Sequence, residues 1–126
     1  RQPDLSITVI GYRYGWRYEY PDTAGTGRCR VEGPLALPQG KAVDLTFTAD
    51  DVIHEWTVPE LALAKDAIPG LLNVLAVDTS KPGPFSGSAT PMSGEGYGKM
   101  AFELHILAPD AYAAWSRGAL RPCKAP

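Results

Sequence analysis

Few side chains in this sequence can hold a metal or attack a substrate. Its soft and imidazole donors are two cysteines, two methionines and two histidines. His54 sits in Asp51-Val52-Ile53-His54-Glu55-Trp56, and His105 in Phe102-Glu103-Leu104-His105-Ile106. Cys29 and Cys123 lie far apart, without the close spacing that lets two thiolates grip one metal ion. Taken singly, each residue has an ordinary role. His54 suits a hydrogen-bonded core or rim position, His105 a solvated one on the polar face of its strand, and Met100 a core position in register with Phe102 and Leu104. The cysteines are either two unrelated thiols or a disulfide tying the Cys29 segment to the tail, which needs an oxidising compartment. Gly94, Gly96 and Gly98 invite comparison with a phosphate cradle, but the run leads into a strand and not a helix N-terminus, so a tight loop is expected. No Ser-His-Asp arrangement can be placed, G-x-S-x-G is absent, and Asp50-Asp51 reads as a turn.

The elements that must position these residues are short. The 126 residues fit one domain, with a sandwich over about 5–107 and a terminal helix over 109–118. Thirteen glycines and twelve prolines are scattered through it, which favours many strands joined by turns. Leu5 to Ile10 alternates as a first strand. In the next run Tyr12, Tyr14, Trp16, Tyr18 and Tyr20 take every second position, so one continuous strand would put all five aromatics on one face. Further strands are expected at 30–32, 43–48, 52–58, 71–77, 85–90 and 100–106, with a turn at Pro38-Gln39-Gly40-Lys41. Pro109-Asp110 opens a helix to about Arg117, which Gly118 is placed to stop. The result is an all-β antiparallel sandwich with a short C-terminal helix; lectin, immunoglobulin-like and cupredoxin domains all satisfy that pattern. A formal net charge of −2 and a pI near 5.6 leave no basic footprint for nucleic acid. No apolar run approaches the roughly 18–20 residues needed to span a bilayer, so the sequence as it stands reads as water-soluble. The opening Arg1-Gln2-Pro3-Asp4 suits a piece of a longer polypeptide.

Three segments together resemble subunit II of the haem-copper respiratory oxidases. Gly11 to Tyr20 is similar to that family's aromatic strand, which ends in Trp-x-Tyr-Glu-Tyr in cytochrome c oxidases. Asp51-Val52-Ile53-His54-Glu55-Trp56-Thr57-Val58-Pro59, running on through Lys65-Asp66-Ala67-Ile68-Pro69-Gly70, resembles the family's histidine segment nearly position for position. Pro82 to Gly87 and the loop that follows stand where the family carries its copper loop. The resemblance spans about residues 5–117. It implies a cupredoxin-like Greek-key sandwich, on the periplasmic face of a bacterial inner membrane, packed on the membrane-embedded catalytic subunit I.

The departures from the family pattern bear on function. Members that oxidise cytochrome c hold two coppers with an upstream His and a loop of the form C-x-x-x-C-x-x-x-H-x-x-M. Laid on this sequence, the cysteine positions are Ala89 and Ser93 and the loop histidine is Tyr97; only His54 and Met100 keep donors. Pro91 stands where the family supplies a backbone carbonyl. Bridging thiolates are the essence of such a site, since soft sulfur suits reduced copper. Alanine offers no donor, a serine hydroxyl is too weak an acid to bridge as an anion, and a phenol ordinarily ionises only near pH 10. No dinuclear copper, and no other cofactor, is therefore expected in this domain. Ser93-Gly94-Glu95-Gly96-Tyr97-Gly98-Lys99-Met100 also resembles the copper-free loop of haem-copper quinol oxidases. The expected role is a non-catalytic domain of a terminal oxidase with quinol as donor. Two alternatives stay open: a cytochrome c oxidase-type subunit with another electron route, since His54 and 65–70 resemble that branch, and a free-standing periplasmic copper-handling module. In the aromatic strand Tyr14 takes the position of the family's electron-entry Trp, which weakens a relay role for it.

Overall fold

The computed structural model describes residues 2–24, 27–91, 94–121 and 123. The strands are β1 (Leu5–Tyr12), β2 (Gly15–Pro21), β3 (Arg28–Val31), β4 (Leu35–Pro38), β5 (Val43–Ala49), β6 (His54–Val58), β7 (Leu63–Ala67), β8 (Asn73–Val77), β9 (Gly83–Gly87) and β10 (Phe102–Leu107), followed by helix α1 (Pro109–Ala119). One sheet runs β3-β2-β1-β5-β8, a second β4-β10-β9, and β6-β7 forms a ribbon joined to the second by the Thr57–Ser88 bridge. The core between them is made by inward alternations: Ile7 and Val9 on β1, Trp16, Tyr18 and Tyr20 on β2, Val43, Leu45 and Phe47 on β5, Trp56 and Val58 on β6, and Leu104 and Ile106 on β10. The sandwich class is the expected one. Within it, β1–β5 and β4–β10 run parallel and the other named pairs antiparallel. Alternation reports which face is buried and is silent on strand direction, so this mixture has no sequence signal.

The aromatic run is a hairpin, not one strand. Tyr12 pairs with Gly15 across the turn at Arg13-Tyr14, and Gly11 with Trp16. Paired residues share a face, so Trp16, Tyr18 and Tyr20 point inward with Val9 and Ile7, while Tyr12 falls on the other face beneath the Arg17 guanidinium, 5.9 Å from its ring centre. Tyr14, at the turn, is 43% exposed. A two-residue turn pairs residue i with i+3 and so switches which positions face inward, but aromatic residues occupy the even positions on both sides of it, and that is why the reversal is invisible in the sequence.

β4 has no alternation to announce it. All four residues of Leu35-Ala36-Leu37-Pro38 are buried, with β10 paired alongside and α1 packed against the strand. Tyr20 holds it from within: its hydroxyl donates to the Ala36 carbonyl (2.8 Å) and accepts from the Ala36 N–H (2.9 Å). β7 is likewise a strand that the sequence does not announce, paired along β6 from His54↔Ala67 to Val58↔Leu63.

Helix α1 runs through Gly118, contrary to the expected stop. A glycine inside a helix costs only about 1 kcal/mol, and the continuation to Ala119 leads to Leu120, which is buried and whose carbonyl accepts from the Thr23 N–H. Trp115 packs on Tyr20 with ring centres 5.2 Å apart. Beyond the helix, Cys123 is disulfide-bonded to Cys29 across 94 residues, with Cα atoms 5.3 Å apart. Closing so long a loop in the unfolded chain stabilises by up to about 4–5 kcal/mol on the chain-entropy view. Reduction, or Cys29→Ser, is expected to lower the unfolding free energy by roughly 2–5 kcal/mol, read from urea midpoints with and without a reductant. Coincident midpoints would show that the bond adds nothing to the fold.

Candidate functional site: the loop end around His54

His54 opens β6 on the same face as Trp56 and Val58 and is fully buried. Its Nε2 lies 2.7 Å from Asp51 Oδ1. The same carboxylate accepts from the Val52 N–H at Oδ1 (2.7 Å) and from the Arg13 N–H at Oδ2 (2.8 Å), joining the turn before β6 to the β1–β2 hairpin. Partial burial pushes the Asp51 carboxyl up, but His54 and the two N–H groups more than offset this and hold it below the usual carboxylate range. Asp51 is thus a site residue that sequence reasoning took for a turn. Its signal was the spacing Asp-x-x-His, which brings the carboxylate back onto the ring.

Trp16 links His54 to the loop. It meets the His54 ring edge-on at 6.0 Å and 70°, and its Nε1–H donates to the Met100 carbonyl (2.9 Å). Gly11 makes this packing feasible: a Cβ there would come within 2.9 Å of Trp16 and 3.0 Å of His54. Phe102 lies edge-on to Trp16 at 6.0 Å and stacks on Trp56 at 5.1 Å, so a continuous aromatic cluster supports both sides of the site. Met100 is fully buried, but as the last residue of a 3₁₀ turn (Tyr97–Met100) rather than on the strand expected for it.

Ala89 is buried next to the bridge in which Ser88 and Thr57 exchange backbone hydrogen bonds of 3.0 Å, which places it against β6. Pro91 is exposed, and its carbonyl accepts from the Gly94 N–H (2.9 Å). Ser93 lies outside the described residues. Tyr97 is 39% exposed. The loop is fastened instead through Gly96, whose φ of 90° suits glycine and where a Cβ would sit 2.6 Å from the Tyr14 ring. The Lys99 ammonium lies 5.4 Å from the centre of that ring. His54 and Met100 are thus brought together on Trp16, and Ala89 is held beside the His54 strand. His105 is elsewhere, on β10, with Nε2 2.8 Å from Glu103 Oε1.

The donor set does not fit a dinuclear copper centre. Its bridging atoms are thiolates, Ala89 presents a methyl group, and both cysteines are joined to one another. Among the described residues no group of three or more His, Cys, Asp or Glu is placed to hold a metal ion.

Fold and loop together define a cupredoxin-like domain of the oxidase type. A profile of the periplasmic domain of cytochrome c oxidase subunit II matches residues 23–106, and the chain belongs to that family. It is 32% identical over 130 aligned residues to cytochrome c oxidase subunit 2 of Branchiostoma floridae, covering 90% of this chain and 56% of that one. The chain thus spans about half the length of such relatives. Among solved structures, the periplasmic domain of subunit II of cytochrome oxidase of Bradyrhizobium japonicum superposes with a TM-score of 0.84 at 25% identity, over 94% of this chain and 95% of that one. A haem-copper terminal oxidase dimer shares the fold, with a TM-score of 0.58 at 20% identity over 82% of this chain and 62% of that one. No helix among the described residues is long and apolar enough to cross a membrane.

Proposed function

We propose that this domain is the extramembrane part of subunit II of a haem-copper terminal oxidase whose dinuclear copper has been lost, and that it acts there as a non-catalytic subunit on the periplasmic face of a bacterial inner membrane. The observation that carries the reading is Ala89, a buried methyl group beside the His54 strand where the family places a bridging thiolate. Without a metal relay, cytochrome c has no stepping stone through the domain. A quinol delivered from the membrane to subunit I needs none, and we assign quinol as the donor; the copper-free form of the loop from Ser93 to Met100 supports it.

The surface we assign to subunit I is the apolar face around β8, at one end of the larger sheet. Leu71, Leu72 and Val74 are 55%, 72% and 54% exposed at and before β8, and no charged side chain interrupts Leu71 to Val77. An apolar, uncharged sheet edge left in water invites association, so a partner that covers it is expected.

Incubated with copper and dialysed, the purified chain is expected to retain no stoichiometric metal and to show no purple mixed-valence absorption. Stoichiometric copper with that colour would overturn the reading. In the whole complex the donor is tested by oxygen uptake with a short-chain quinol and with reduced cytochrome c. The retained His54 and the similarity to cytochrome c oxidase subunits favour a second reading, in which cytochrome c still donates by another route. Uptake with cytochrome c in a copper-free complex would select it.

A further inference from the structure

The tail after α1 is held against the chain between β2 and β3 by more than its disulfide. Asp22 is 5% exposed, and its two carboxylate oxygens have separate tasks. Oδ1 accepts from the Ala24 N–H (3.1 Å), and Oδ2 accepts from the Cys123 N–H (3.3 Å). The Asp22 N–H donates to the Gly27 carbonyl (3.0 Å), and the Thr23 N–H to the Leu120 carbonyl (2.6 Å). Gly27 gives the tail its room. A Cβ there would lie 2.6 Å from the Cys123 carbonyl oxygen and 3.2 Å from Asp22 Oδ2. Its φ is outside the left-handed region, so space and not backbone conformation calls for glycine.

Neither the Asp22 nor the Thr23 hydrogen bonds involve a sulfur atom, so both can outlast reduction. Both sulfurs also meet one oxygen: the Arg121 carbonyl lies 3.3 Å from Cys29 Sγ and 2.7 Å from Cys123 Sγ, where it can accept from either thiol once the bond is open. We propose that Asp22 and Gly27 form a seat that keeps the tail docked in the dithiol state, so that Cys123 stays beside Cys29 and the bond recloses against reducing thiols. Cys29 is 1% exposed and Cys123 only part-buried, so an incoming thiolate reaches Cys123. It bonds to Cys123 Sγ and expels Cys29 as a thiolate, which takes a proton from water. Closure runs the other way: the Cys29 thiolate attacks Cys123 Sγ of the mixed disulfide, and the incoming thiol leaves with the electron pair. Asp22 and Gly27 act on this exchange through the tail, as positioning residues. The proposal does not depend on the electron donor or on the copper content of the domain.

The test equilibrates the 126-residue chain with mixtures of reduced glutathione and glutathione disulfide. The protein dithiol and glutathione disulfide give the protein disulfide and two reduced glutathiones. The closed fraction, read by mass after alkylation, gives the effective concentration of the cysteine pair. It should stand well above the millimolar range of two thiols on a short flexible tether. Asp22→Asn supplies one acceptor oxygen where two are used, and Gly27→Ala sets a methyl group against the tail. Each should lower the effective concentration about 10-fold, the scale of one hydrogen bond to a charged group or one overpacked methyl. Val9→Ala, in the core on β1, should leave it unchanged while the chain stays folded. With Cys29→Ser and Cys123→Ser combined, the amide at position 123 should still exchange about 10-fold or more slowly than in a free peptide. A millimolar value for the parent chain, Asp22 and Gly27 variants that close as well as the parent, an equal loss in Val9→Ala, or free-peptide exchange in the double variant would each overturn the proposal.

Discussion

The triple variant Ala89→Cys, Ser93→Cys, Tyr97→His is expected to bind copper stoichiometrically and turn purple, where the parent chain does neither. It restores the C-x-x-x-C-x-x-x-H-x-x-M pattern on a chain in which one tryptophan meets the His54 ring and hydrogen-bonds the Met100 carbonyl. Ala89 is already held against β6 by the Thr57–Ser88 bridge, so a thiolate there would start beside the histidine strand. The constraint is metric. Ligand distances must fall within about 0.2 Å of ideal, and the loop packs through Gly96 and Lys99 on Tyr14. Pro91 contributes a carbonyl that already accepts from Gly94, and its fixed φ sets where that carbonyl points. A variant that folds, as shown by an unchanged urea midpoint, and still takes up no copper would mean that the loop backbone has been rebuilt as well as stripped of donors.

Trp16→Ala is expected to cost about 3–5 kcal/mol, the range for emptying a large aromatic site in a core. Trp16 is 5% exposed and touches three separate pieces of structure: His54 on β6, Phe102 on β10, and the Met100 carbonyl that ends the loop. Its loss leaves a cavity and an unsatisfied carbonyl together. Trp16→Phe separates the two, since it keeps most of the packing and removes the donor; about 1–3 kcal/mol is expected for the orphaned acceptor. Urea unfolding of both variants measures the difference. If Phe and Ala cost the same, packing contributes little and the hydrogen bond to Met100 is the main link between loop and sandwich.

Much of this protein was legible in the residues alone. The inward alternations of β1, β5 and β10 mark which face is buried, because a strand's side chains change sides at every residue and water exclusion sorts them. The absent donors at Ala89 and Tyr97 were equally legible, since a methyl group and a phenol have the same chemistry wherever the fold puts them. The disulfide was one of two open readings; the approach of the tail to β3, which sequence does not encode locally, settled it. Other features were decided by tertiary structure. The hairpin hidden in the aromatic run, the parallel pairing of β1 with β5, the burial of β4 on both faces and the passage of α1 through Gly118 all depend on what another segment places alongside. Asp51 belongs to both groups: its contact with His54 follows from local spacing, while the Arg13 N–H at its other oxygen is supplied by the hairpin. Periodicity is a property of one segment and its solvent. Direction, partner and site are properties of pairs, and long-range contacts alone decide them.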